Sequence, residues 1–207
     1  MKKQLVTLAI CCLVALGAAA QVRIGLKAGG QYTYTWDTEF ERLKMPGYVF
    51  GLTAEYKIND SKWSLAPELL FSSSYHTNHE NYLILPEELN LEASDFHNYS
   101  CRNYLQLPLL MRYNISPKVG LDVGPQVNLL VYYKVTEKYR LNGTEHVHKG
   151  KFDSENRSFI LGLAAGVTYK PTDHIFVQAR YAVDLTHTYA FGSTKLGSAH
   201  VSVGYNF

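Results

Sequence analysis

Residues 103–131, NYLQLPLLMRYNISPKVGLDVGPQVNLLV, constrain this chain more than any other stretch. They read as two strands joined by a tight turn at Ser116-Pro117. In the first arm Leu105, Leu107, Leu109, Met111 and Tyr113 share one face, opposed by Tyr104, Gln106, Pro108, Leu110 and Arg112. In the second arm Val119, Leu121, Val123, Pro125, Val127, Leu129 and Val131 oppose Gly120, Asp122, Gly124, Gln126 and Asn128. Alternation with a period of two marks strands with one apolar and one polar face. Here it runs well past the ~5–6 residues usual for a strand in a soluble protein.

The rest of the chain repeats this pattern. Strands are expected over residues 22–34, 47–58, 62–75, 159–170, 175–185 and 199–207, which with the central hairpin makes about eight. Connections alternate in length. Asn59-Asp60-Ser61, Ser116-Pro117 and Pro171-Thr172-Asp173 are short, whereas 35–46, 76–100, 134–156 and 189–196 read as longer polar loops. Within residues 76–100 the run LPEELNLEA suits a short helix.

Alternation alone does not say which face meets water. A soluble barrel turns its apolar face inward. Three features favour the inverted case. Gly25, Gly29, Gly51, Gly120, Gly124, Gly162, Gly166 and Gly204 stud the polar face, where they make room inside a narrow barrel. Aromatics close the apolar faces, among them Tyr32, Tyr48, Trp63, Tyr75, Tyr133, Tyr169 and Phe207, as in the girdles at the two membrane interfaces. The strands also reach the ~9–11 residues that cross a bilayer. The expected fold is all-β, a transmembrane antiparallel up-and-down β-barrel of about eight strands. Its first strand must pair with its last, because hydrocarbon tolerates no open sheet edge.

The N-terminus agrees with export. Lys2 and Lys3 precede an apolar run over residues 5–16, and Ala18-Ala19-Ala20 offers small residues for cleavage before Gln21. This is a Sec signal peptide over residues 1–20, with the barrel over 21–207 and the bacterial outer membrane as destination. Of three cysteines only Cys101 then remains, so no internal disulfide is available. Formal net charge is +2, which gives nucleic acid no hold.

These pieces carry a family resemblance. RIGLKAGGQYT, YVFGLTAEYKIND, WSLAPELLFSS, NYLQLPLLMRYNI, VGLDVGPQVN, LGLAAGVTYKP, IFVQARYAVDLTH and VSVGYNF make the chain similar to the Bacteroidota outer-membrane β-barrel family that includes PorT-like proteins. The resemblance covers nearly all of the mature chain. It implies an outer-membrane location and no enzymatic activity. PorT itself is associated with the type IX secretion machinery.

Candidate chemistry lies on the polar faces. Arg23, Lys27, Glu55, Glu68, Arg112, Asp122, Arg180 and Asp184 are expected to form a charge network in the lumen, with Lys57 and Lys170 as further cations. An interior of about eight strands is filled by side chains, and a buried unpaired charge is costly, so these charges read as a plug. A gated, ion-selective lumen is the competing reading. His76 with His79, and His146 with His148, show no strong metal-ligand spacing and read as solvated loop residues. Asp184, His187 and Ser193 are near one another in sequence, but a hydrolase needs nucleophile, base and orienter in contact. No Walker-type or dinucleotide motif is present, and no cofactor or metal is expected. The expected function is a non-enzymatic outer-membrane barrel with a structural or interaction role in an envelope or secretion assembly. Its partners are outer-membrane lipid and envelope or secretion-system proteins met through residues 76–100 and 134–156. A small-solute or ion channel is the alternative, and an outer-membrane hydrolase a weaker one.

Overall fold

The computed structural model describes residues 22–35, 44–82, 93–141, 144–151, 159–186 and 195–207. The signal segment and the 85–92 part of the helix expected in LPEELNLEA fall outside these residues. In chain order the strands are β1 Val22–Thr35, β2 Lys44–Lys57, β3 Trp63–Tyr82, β4 Ala93–Asn114, β5 Val119–Leu141, β6 Thr144–Lys151, β7 Phe159–Tyr169, β8 Ile175–Asp184 and β9 Leu196–Asn206. All pair antiparallel. Eight of them close a ring, with β1 against β2 on one side and β9 on the other, and with β4 completing the circuit to β5. The remaining strand, β6, stands outside the ring and, among the described residues, pairs with β5 alone.

Each short turn supplies a side-chain oxygen for the backbone it reverses. Ser61 Oγ donates to the Ile58 carbonyl at 2.6 Å. Ser116 Oγ accepts from the Val119 amide at 3.1 Å, and Thr172 Oγ1 accepts from the Ile175 amide at 3.0 Å. Asn59 takes the left-handed backbone, φ 49°, that asparagine tolerates better than most residues.

The apolar face looks outward. Leu26, Phe50, Leu109, Val123, Leu163, Val201 and Val203 are all exposed, Val201 by 61%. Lys27, Glu68, Arg112, Asp122, Gln178 and Arg180 are buried on the opposite face, inside the ring. That inversion is the arrangement lipid demands: hydrocarbon outside, polar groups within, and every ladder hydrogen bond closed by the ring.

The two segments expected as long polar loops are mostly strand. β3 continues to Tyr82 and β4 begins at Ala93. β5 runs to Leu141 before turning into β6. The 76–82, 93–100 and 132–141 parts pair as a sheet that rises beyond the ring. Their sequence hides this because polar residues crowd both parities there, so the apolar–polar period disappears. Tyr, Val and Thr in KVTEKY still favour the pleated backbone.

One aromatic faces the other way from its expected girdle. Tyr133 is buried, at 5% exposure. The β4–β5 register shifts between Asn103 and Tyr104, where Asn103 pairs with Tyr132 but Tyr104 pairs with Leu130. The extra residue, Val131, is a β-bulge, and it reverses the parity of everything after it. Val131 and Tyr132 are therefore both exposed, and Tyr133 turns inward.

Candidate functional site: the lumen and the sheet above it

The register sets which charges meet. Arg112 on β4 lies directly across from Asp122 on β5. Its guanidinium grips that carboxylate with two bonds, Nε to Oδ1 at 2.6 Å and Nη2 to Oδ2 at 3.1 Å. Nη1 donates to Glu55 at 2.9 Å, and Lys170 donates to the same carboxylate at 2.7 Å. Glu68 on β3 holds a second group, with Lys27 Nζ at 2.7 Å and Arg180 Nη1 at 2.6 Å.

Gln178 joins the two groups. Its Oε1 accepts from Lys27 at 2.6 Å, while Nε2 donates to Asp122 at 2.9 Å and Glu68 at 3.3 Å. Those partners fix the amide's orientation, since an ammonium only donates and carboxylates only accept. Thr168 donates to Asp122 at 2.5 Å and accepts from Arg112 at 2.9 Å. Strands β1, β2, β3, β4, β5, β7 and β8 thus all contribute to one network across the interior.

Glycine makes the space for it. Lys27 has Gly51 and Gly204 as its two cross-strand neighbours, and Gly166 lies between Asp122 and Arg180. A Cβ on Gly120 would stand 2.9 Å from Arg112 Cγ and Cδ. A Cβ on Gly204 would overlap the ring of Phe176, which fills the short-turn end of the lumen. Ala66, Leu110, Ala164 and Ala182 pack as an apolar cluster on the same inner face. Two small cavities lie among the described residues. One of about 10 Å³ touches Glu55, Arg112 and Phe176; one of about 20 Å³ touches Gln31, Gln106 and Asp184. Each has room for roughly one water.

Of the expected network residues, Lys27, Glu55, Glu68, Arg112, Asp122 and Arg180 are brought together. Arg23 is exposed at the start of β1. Asp184 stands apart near the far end of β8, accepting from Asn128 Nδ2 at 3.1 Å. Lys170, expected as a further cation, joins through Glu55. Gln178, Thr168 and Lys170 complete the network, and charge and spacing did not single out the first two. Parity was the available signal for Gln178 and Thr168, since both sit on the polar face.

The other candidate chemistry divides. His146 and His148 are exposed on β6, and His76 lies within 3.4 Å of the Lys44 carbonyl. Among the described residues no three His, Cys, Asp or Glu side chains are grouped to hold a metal. His187 and Ser193 lie outside the described residues.

A closed polar-inside ring, aromatic at its rims and stitched by buried ion pairs, has its counterpart in sequence. Residues 6–207 match the model of the outer membrane protein beta-barrel domain. The chain belongs to that family. It is an outer-membrane β-barrel protein, and its ring sits in the lipid bilayer. No curated protein matches it in sequence.

Solved structures share the fold. Ail, the attachment invasion locus protein of Yersinia pestis, in complex with the heparin analogue sucrose octasulfate, is 13% identical with a TM-score of 0.50. That alignment covers 90% of this chain and 99% of Ail. Neisserial surface protein A is 16% identical over 89% of this chain and 97% of its own, with a TM-score of 0.49. At such identities the likeness is one of fold alone.

Proposed function

We propose that this protein is a sealed, non-enzymatic outer-membrane barrel that acts through the sheet it raises outside the membrane. One observation carries the reading: the interior is tied across by paired charges while β3, β4, β5 and β6 continue together beyond the ring. Strands of 20, 22 and 23 residues are far longer than a crossing requires. The ~10 surplus residues in each, at ~3.3 Å apiece, make an extension roughly 30 Å tall.

Short turns mark the periplasmic rim of such barrels, so this extension faces the cell exterior. Its β6 edge pairs with no second strand among the described residues. It carries His146, His148 and Lys149, and Tyr99, Tyr132 and Val147 are exposed nearby. Backbone groups on an edge together with exposed aromatics suit contact with another macromolecule. A PorT-like place in a secretion or envelope assembly is the finer form of this reading, as is export by cleavage before Gln21. Against the channel alternative, the network stands between the two cavities lined by described residues.

The test is recovery of partners from native outer membrane by the intact protein and by a form in which residues 76–100 and 134–156 are replaced with short turns. The intact protein should retain envelope proteins that the shortened form loses. Retention of every partner by the shortened form would remove the interaction role from the extension.

A further inference from the structure

The extracellular half of the lumen contains the 20 Å³ cavity, whose wall is half polar and half apolar. Asp184 supplies a carboxylate there. Among the described residues no ion pair includes it, and its partner is the neutral amide of Asn128. A carboxylate accepts only, so Asn128 must turn its nitrogen toward it. Asn128 Oδ1 then accepts from Gln126 Nε2 at 2.8 Å. Both amides are thereby oriented outward from Asp184.

Two further acceptors line the same cavity. Gln31 and Gln106 are 6% and 4% exposed, and the Oε1 of each is buried without a hydrogen-bond partner among the described residues. The Gln31 nitrogen is engaged with Ser74 at 2.6 Å. Buried acceptors left unmet are costly. A carboxylate and two amide oxygens around a space of one-ion size are the ligands of a hard cation. The set offers a single negative charge, which matches a monovalent ion. A divalent ion would keep an uncompensated charge in a low-dielectric interior.

We propose that this cavity binds one monovalent inorganic cation of the sodium–potassium class, held by the Asp184 carboxylate and the Oε1 atoms of Gln31 and Gln106. The ion enters from the extracellular rim and stays above the ion-paired layer, so the site is compatible with a barrel that does not conduct. It gives Asp184 the counter-charge that the lysines and arginines of the deeper network direct elsewhere.

Thallium(I), a heavy stand-in for potassium, makes the site visible. Crystals of the full barrel soaked in thallium nitrate should show one anomalous peak in contact with Asp184, Gln31 and Gln106. The Asp184→Asn crystal should lack it. In detergent solution the wild type should melt several degrees higher in potassium chloride than in N-methylglucamine chloride at equal ionic strength, since the organic cation is too large to enter. Asp184→Asn should erase that difference, as should Gln106→Leu if the first variant folds poorly. A wild-type crystal with only water in the cavity would overturn the proposal. So would a thallium peak that persists undiminished in Asp184→Asn, or equal melting of the wild type in the two salts.

Discussion

Glu68 is the residue on which the interior turns. It is 5% exposed, and it holds Lys27 and Arg180 on one carboxylate while a third donor arrives from Gln178. Removing it leaves two cations buried without their anion. Breaking a buried pair from one side costs about 3–5 kcal/mol, because the stranded charge keeps its desolvation penalty. Glu68→Ala should therefore lower the unfolding free energy in liposomes by about that amount, read from urea titration of tryptophan fluorescence. Arg23→Ala removes a charge of the same polar face but an exposed one, and should move the midpoint by under about 0.5 kcal/mol. Equal effects from the two would contradict the distinction between paired lumen and solvated rim.

At the scale of the strand, the ring and its extension answer to different solvents. Leu163 and Val203 face outward from the ring, at 47% and 56% exposure, and Val147 is exposed on β6. Leu163→Arg and Val203→Arg place a cation in hydrocarbon and should each cost about 2–4 kcal/mol near the midplane. Val147→Arg meets water and should cost about nothing by the same liposome assay. A comparable loss at all three would mean that β6 lies in the membrane. The ring should also survive without β6. Among the described residues that strand pairs only with residues 134–141 of β5, whereas β7 closes the ring against residues 119–129. A chain lacking residues 142–158, with β5 rejoined to β7 through a glycine-serine linker, should keep its heat-modifiable gel mobility. Loss of the folded band would show that the extension is needed to close the barrel.

The same split explains what the sequence made readable. Where strands face lipid on one side and a polar lumen on the other, the two solvents impose a strict period, and Leu163, Val123 and Val203 follow it. Above the ring that pairing of solvents ends, and residues 76–82 and 132–141 carry no strict apolar–polar period to find. The Val131 bulge is equally silent, so Tyr133 looked like one more outward aromatic. In the lumen, parity placed Gln178 and Thr168 on the inner face. Their role as links needed the register, because a neutral amide becomes a bridge only when two carboxylates and an ammonium surround it.

For the molecule as a whole, the central claim is that the paired charges seal the barrel. Arg112 is the most informative residue to remove, since it spans Asp122, Glu55 and Thr168 at once. Single-channel recording in a planar bilayer, on the intact protein and on Arg112→Ala, tests the seal most directly. The account predicts no stable conductance from the intact barrel and discrete openings from Arg112→Ala. A large, steady conductance from the intact protein would contradict it and make the lumen a channel.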